Sequence, residues 1–330
     1  MGEPVTWLMA VRNGMPFLRE TLQSIAAQTY RDHRLLVWND ASNDGTLEEL
    51  QAWIPSRIHG EIITGASFKL GVNLAHLVTE AKTELCARID ADDVNEPLRL
   101  ERQVAYMLAH PEVVALGTQV KLIDEKGRPI QSKWICPCED AEARWRARWQ
   151  SPLAHPSVMF RRSAALRAGN YRDLHPEDGE FWIRLCPFGE IYSLAEELVQ
   201  YRRHGASLSA GHDDYYDGQL WTARAASSHL FPGIPHGRAL PLWEATHPRE
   251  CRPGAQVTVQ DYIQHARAAG LLARQCGKPN DYFQRTPTYS NQAYWLRRNL
   301  LTRFGLTRFV GLRHRVSAHV KDCQPEAAAH

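Results

Sequence analysis

The chain has 330 residues, 44% hydrophobic and 23% charged, with 39 basic against 37 acidic side chains and a net charge of +2. This length accommodates one large α/β domain with an appendage, or two domains. The near balance of charge argues against bulk nucleic-acid binding. No run of about 18 apolar residues is present to span a bilayer. The amino terminus lacks the basic-then-apolar pattern of a secretion signal. Seven cysteines, an odd number, do not suggest a disulfide scaffold. The pair Cys136 and Cys138 has no partner pair nearby and reads as reduced thiols rather than a zinc site. The expected location is the cytoplasm.

Val5 to Val11 is apolar and rich in β-formers, a buried first strand that stops at the turn signal Arg12-Asn13-Gly14. Pro16 stands where a first helical residue would, with Leu18, Leu22, Ile25 and Ala26 at helical spacing through Gln28. Leu35 to Trp38 is a second strand, and it runs into Asn39 to Thr46, dense in turn and cap residues. A helix over Leu47 to Trp53 follows, then a third strand at Glu61 to Thr64. A loop holding Gly65 and Gly71 leads to a helix through Ala75 and Val78, and Leu85 to Ile89 is the fourth strand. Strands and helices alternating at this rhythm predict a parallel, doubly wound sheet. The first loop offers no Gly-x-Gly-x-x-Gly, and no Walker-type Gly-Lys-Ser/Thr occurs. Any diphosphate bound here needs another counter-ion.

The fourth strand supplies a candidate, because it ends in Asp90-Ala91-Asp92-Asp93. Acids crowded within one turn repel one another unless a cation neutralises them. Oxygen ligands at the carboxyl end of a strand suit Mg2+ or Mn2+. The competing reading is that Asp92 and Asp93 open the helix that starts near Pro97. That helix runs to His110-Pro111. Val113 to Gly117 and Val120 to Ile123 are strand-like, with a turn at Asp124 to Gly127. Residues 139–150 form a helix carrying Arg144, Trp145, Arg148 and Trp149, read as helix packing and surface charge. His155-Pro156-Ser157 precedes an apolar stretch to Phe160. Glu177 and Asp178 then open an apolar helical stripe of Phe181, Trp182 and Leu185. A carboxylate held ionised at a helix N-terminus suits a base, although this segment alone reads better as a plain N-cap. Glu197 to Arg202 is a further strand, and it delivers Arg203-His204 to a polar loop.

Beyond Asp213, prolines break the chain repeatedly, and residues 254–275 read as helical again. From Tyr282 to Lys321 there is no acid, while Arg297, Arg298, Arg303, Arg308, Arg313 and Arg315 alternate with aromatic and aliphatic residues. That mixture suits a helix resting on an anionic membrane surface, and equally a basic helix packed on the rest of the protein.

Five blocks in this order resemble the family 2 glycosyltransferases of the GT-A fold, over about Val5 to Ser209. They are Met9 to Gly14 with the helix after it, Asn39 to Thr46, Arg88 to Asp93 with Pro97, Arg99, Leu100 and Gln103, Gly169-Asn170-Tyr171 leading to Glu177-Asp178 and Trp182, and Leu198 to His204. The resemblance implies a Rossmann-like, doubly wound, mostly parallel α/β sheet with a helical C-terminal extension. It divides the chain into a catalytic domain over 1–212 and a mainly helical region over 213–330. The catalytic domain comprises a nucleotide-sugar half to about 117 and an acceptor half over 118–212. It also implies an inverting, non-processive enzyme with a nucleotide-sugar donor, a UDP-sugar above all. The acceptor would be a glycan or lipid-linked glycan, the cofactor Mn2+ or Mg2+, and the location the cytoplasm or the inner face of the membrane. By position, Ala10, Val11, Arg12, Asn13 and Asp40 would meet the nucleoside, with Lys69, Asp90 and Ala91 also on the donor. Asp92 and His204 would hold the metal, and Asp178 would be the general base. Glu177 and Trp182 would contact acceptor or support the base. Three departures stand out: Asn39 replaces an acid, the segment 68–71 lacks the usual asparagine, and Gly179-Glu180 replaces an aromatic and an acid. The alternatives are a catalytically degenerate nucleotide-sugar-binding scaffold and a sugar-phosphate nucleotidyltransferase. The latter would need a glycine-rich basic loop that Arg12-Asn13-Gly14 does not supply.

Overall fold

Strand β1 (Val5–Val11) is flanked on both sides by parallel neighbours, β2 (His33–Asp40) and β4 (Leu85–Arg88), with β3 (Gly60–Gly65) beyond β2. These come from a computed structural model that describes residues 2–65, 69–205 and 258–286, together with Tyr289, Ala293 and Leu296. Helices cover both faces of these strands, so their sequences are apolar runs rather than alternations. On one face Trp7, Met9, Leu35 and Val37 pack under α1 (Leu18–Ala26), α2 (Thr46–Trp53) and α4 (Arg99–Ala109). On the other, Leu8, Leu36 and Phe160 pack under α3 (Leu70–Glu80) and α7 (Glu177–Leu185).

The rest of the sheet departs from the simple parallel expectation. The full order is β3-β2-β1-β4-β7-β6-β8-β5. The three-residue β7 (Met159–Arg161) runs antiparallel to both β4 and β6 (Val113–Ile123). β6 pairs in parallel with β8 (Glu190–Arg202), which in turn holds the two-residue β5 (Val94–Asn95) antiparallel. The two strand-like segments predicted at 113–123 are one strand, bent by register shifts around Gly117 and Gln119 instead of being broken. β8 likewise starts seven residues earlier than its sequence suggests.

Two local expectations are corrected. Helix α1 starts at Leu18, not at Pro16, because the amides just before it are already committed. Gly14 N–H donates to Thr46 Oγ1 at 2.8 Å, and Met15 N–H donates to Asp44 Oδ2 at 2.9 Å. Arg144 and Arg148 are not surface charges. Arg144, in α5 (Asp140–Arg146), donates to Asp140 and to the carbonyls of Cys186 and Gly189, and Arg148 lies buried 5.0 Å over the Trp145 ring. Trp145 and Trp149 are buried against α8 (Val259–Gln275), whose Ala268, Ala269 and Ala273 leave room for them. A capping box of Thr258 and Asp261 starts α8. The expected boundary at 212 and all but four residues of the basic stretch after Arg285 lie outside the described residues. Among the described residues, no helix is long and apolar enough to cross a membrane.

One glycine brings α3 against the segment that leads into α7. A Cβ on Gly71, in the first turn of α3, would sit 2.0 Å from the Arg172 carbonyl and 3.1 Å from Glu177 Cβ. Glycine to alanine in a helix ordinarily stabilises by about 0.5–1 kcal/mol. Here the backbone clash reverses the sign, and Gly71→Ala is expected to destabilise by about 1–3 kcal/mol. Urea unfolding measures this, and an unchanged or raised midpoint would mean the Arg172–Asp178 segment yields freely.

Candidate active site

The site begins at the carboxyl ends of β2, β1 and β4, which are adjacent in that order. Asp40 is the buried last residue of β2, and Ala41 turns the chain away with φ 52°. Beside it, Val11 lies opposite Asn39, whose buried Oδ1 has no hydrogen-bond partner among the described residues. The two loops are laced together. Asn13, at φ 54°, donates through its backbone to Ser42 Oγ and accepts from Asn43 N–H through its side chain. Ala10 is half-buried and Val11 buried, while Arg12 and Asn13 reach solvent. Left-handed backbone at Asn13 and Ala41, rare for residues with a side chain, is what these bonds hold in place.

Two strand spacings away, the oxygens of Asp90, Asp92 and Asp93 lie within 4.8 Å of one another. None of them caps α4, which starts at Arg99 with Leu98 as an N-cap lacking any side-chain bond, so the capping alternative is excluded. Asp90 accepts from Arg88 at 2.6 Å, and that guanidinium is only 1% exposed. Asp92 accepts from His204 Nε2 at 2.8 Å. Asp93 accepts from the backbone N–H of Arg202 at 2.8 Å, and the Arg202 side chain donates to the Asp92 carbonyl and to Glu20. Arg202 also lies 4.8 Å over the ring of Phe17, which meets the His204 ring at 4.8 Å. A clamp of Arg202, Phe17 and His204 thus ties the β1–α1 loop and the end of β8 to the acids.

Burial raises the proton affinity of Asp92, as does the charge of Asp90, against the hydrogen bond from His204. Asp93 is raised well above the usual carboxylate range by burial and then by Asp92 and Asp90, and its Oδ2 has no partner among the described residues. Hard oxygen donors, an orphaned buried carboxylate oxygen and acids that resist ionisation together fit a hard divalent cation. Asp92 and His204 would hold it, with Asp93 beside them.

Asp178 lies in the first turn of α7, partly exposed, and its Oδ1 accepts from Gly179 N–H at 2.8 Å. It is not the N-cap, a position taken by Pro176. Burial raises its pKa and Glu177 adds to this, while His155 acts the other way. Glu177 and Trp182 are buried. Burial is the largest influence on Glu177 and pushes it upward, but the hydrogen bond and charge of His155, a backbone N–H and the charge of Arg88 from the strand side together outweigh it, and the pKa is lowered. Arg88 therefore stands between Asp90 and Glu177, and its Nε and Nη1 have no partner among the described residues. Lys69 is exposed and pairs with Asp173 at 3.3 Å, on the loop that leads to α7. Asp93, Arg88, Arg202, Phe17 and His155 carry this geometry but no assigned role in the sequence reading. Only the third adjacent acid and the buried-looking run around Arg88 hinted at any of them.

The sequence profile described as Glycosyl transferase family 2 matches residues 6–168. The amylovoran biosynthesis glycosyltransferase AmsE of Erwinia amylovora is 30% identical over 198 residues, 58% of this chain and 72% of AmsE. The chain belongs to glycosyl transferase family 2. The O-antigen biosynthesis glycosyltransferase WbnJ of Escherichia coli is 28% identical over 225 residues, 67% of this chain and 87% of WbnJ. Among solved structures, S. aureus TarS 1–349 in complex with UDP-GlcNAc aligns with a TM-score of 0.60 at 16% identity, covering 92% of each chain. The mannosyltransferase PcManGT from Pyrobaculum calidifontis, in complex with GDP-Man and Mn2+, aligns at 0.53 and 18%, covering 91% of this chain and 86% of that one. At such identities the likeness is one of fold, and that fold is GT-A.

For this family 2 glycosyltransferase, the acid cluster predicts a pH-dependent stability. With its folded pKa raised, Asp93 holds its proton more tightly in the folded state. Stability is therefore lost as pH rises from about 4 through the folded value. In chelator at neutral pH, Asp93→Asn should melt above wild type, the gap closing as pH falls toward about 4. Mn2+ at a hundredfold its Kd should stabilise wild type by about 2.7 kcal/mol, and the variant by less. Calorimetric melting reads both, and a variant less stable than wild type in chelator at every pH would contradict the argument.

Proposed function

We propose that this enzyme transfers a sugar from a UDP-sugar to a hydroxyl of a glycan or lipid-linked glycan, with inversion at the anomeric carbon and with Mn2+ or Mg2+ at the acid cluster. The observation that carries this reading is the pairing of two unlike acidic groups across Arg88. On one side stand the clamped acids Asp90, Asp92 and Asp93, and on the other the proton-avid Asp178 beside a buried, ionised Glu177.

Asp40 at the end of β2 would accept from a nucleobase N–H, a bond that a carboxylate makes more strongly than an amide. Ala10 to Asn13 would line the nucleoside, and Asp90, held by Arg88, would face the ribose or the sugar. Asp92 and His204 would bind the dication. When bound, it neutralises the diphosphate as negative charge grows on the leaving group. Asp178 would take the proton of the acceptor hydroxyl as that oxygen attacks the anomeric carbon from the face opposite the diphosphate. A single base and in-line displacement require inversion. The raised proton affinity of Asp178 serves a base directly, since a stronger base removes a hydroxyl proton earlier.

Asp178→Asn should keep its calorimetric affinity for UDP with Mn2+ while turnover falls by about 10²–10⁴. In wild type the acid limb of kcat/KM should lie above the ordinary aspartate value of about 3.9, activity being lost as pH falls through it. Proton NMR of the product should show the anomer opposite to the donor's. Full turnover in Asp178→Asn would place the base elsewhere, and a retained anomer would rule out single displacement.

A further inference from the structure

His155 is a buried imidazole, 8% exposed, with no part in the chemistry above. It opens the single helical turn His155–Ser157 just ahead of β7, where Arg88 N–H donates to Val158 O at 2.8 Å. The turn is therefore fixed to the donor strand β4. From there the ring reaches the base helix. Nδ1 lies 3.1 Å from Glu177 Oε1, Nε2 lies 2.9 Å from the Tyr171 hydroxyl, and the ring meets Trp182 edge-on at 5.8 Å and 82°.

The protons can be assigned from these partners. A carboxylate only accepts, so Nδ1 carries the proton in the bond to Glu177. Burial raises the Tyr171 pKa well above its usual range, so the phenol keeps its proton and donates to Nε2. Both ring nitrogens are engaged, and the ring cannot turn without losing both bonds.

We propose that His155 is a positioning residue for glycosyl transfer, locking the first turn of α7 against β4 so that Asp178 meets the acceptor hydroxyl ionised and correctly aimed. The proposal rests on Asp178 being the base. Asp178 is faced by Glu177 on its own helix, by His155 and by the Ser151 hydroxyl. Glu177 is faced by His155, by His175 at 4.0 Å and by Arg88. Glu177 raises the proton affinity of Asp178, and the Nδ1–H that His155 donates to Glu177 offsets part of that charge. Without the Nδ1 bond, Asp178 therefore holds its proton to higher pH, and Glu177 loses the partner that fixes the helix start.

An amide at this position can imitate either nitrogen: asparagine places its NH2 near Nδ1, glutamine near Nε2. Turnover is read as UDP release, with Mn2+, from the UDP-sugar the wild type cleaves fastest. His155→Gln should lose about 10–100-fold in kcat through misplacement of the base, with the acid limb of the pH profile moved to higher pH. Its calorimetric affinity for UDP with Mn2+ should be unchanged. His155→Asn should restore most of the turnover and the wild-type limb. Tyr171→Phe removes only the outer bond, guards against misfolding of the glutamine variant, and should move the limb in the same direction by less. Equal turnover and an unmoved limb in all three variants would overturn the proposal, as would a fall in UDP affinity that matches the fall in kcat. Asp178→Asn separates the two claims. If it is inert while His155→Gln is fully active, the base stands and the role of His155 fails alone. If it turns over normally, both fail together.

Discussion

Three carboxylates within 4.8 Å of one another set the terms for everything built around them. At an effective dielectric near 20, two unit charges at that distance repel by about 3 kcal/mol, so the fold must either neutralise the acids or hold them apart. It does both, using groups from distant parts of the chain. Arg88 arrives from β4 itself, and Arg202 and His204 come from the end of β8. Topology makes this possible. β4 and β5 are only five residues apart in sequence, yet β4 lies beside β1 while β5 lies beside β8. The acids are the bridge between those two places, and they cannot move without disturbing the sheet at both.

The same arrangement explains why the base side is so heavily braced. α7 contributes Phe181 and Trp182 to the core shared with β4 and β7. Its first turn is held by His155 from below and crowded by Gly71 from α3. Arg184, one turn on, donates to Glu180 and to the carbonyls of Ala168 and Asn170. Helix and strand are thereby joined through buried polar groups as well as apolar ones. A carboxylate on such a helix is fixed in position to a degree that one on a free loop would not be.

The parallel half of the sheet was legible in the sequence because its strands are apolar on both faces and its helices repeat at helical spacing. Trp7 and Leu8 are both buried, as a doubly covered strand requires. β7 was not legible: three residues carry no period, and its place between β4 and β6 is set by the bonds of Arg88 and Arg161 across it. The bend in β6 was missed for a related reason, since Gly117 reads as a stop, whereas here it lets Ser193 and Ser157 pack close to the strand. Asp92, His204 and Asp178 were placed by resemblance of motif. The groups that hold them were not: Arg88 and Arg202 fell inside matched blocks without a role of their own, and His155 lies outside every block. An arginine in an apolar run reads as an exception until its carboxylate partner is known.

The polar groups left without partners are unevenly distributed, and this says something about how the site is poised. On the donor side, Asn39 Oδ1, Arg88 Nε and Nη1 and Asp93 Oδ2 are all buried without a hydrogen bond among the described residues. On the base side, both nitrogens of His155 and the indole of Trp182 are bonded. An unmet buried polar group costs about 1–3 kcal/mol, so part of that cost falls beside the acids, where the charge and hydrogen-bonding capacity of a donor would be brought in. The helix of Asp178 carries one such atom, Glu180 Oε2, while its first turn is bonded to His155. A site built this way gains stability from its first ligand and offers the second a finished surface, a division of labour suited to a reaction in which one substrate must be held still while the other attacks it.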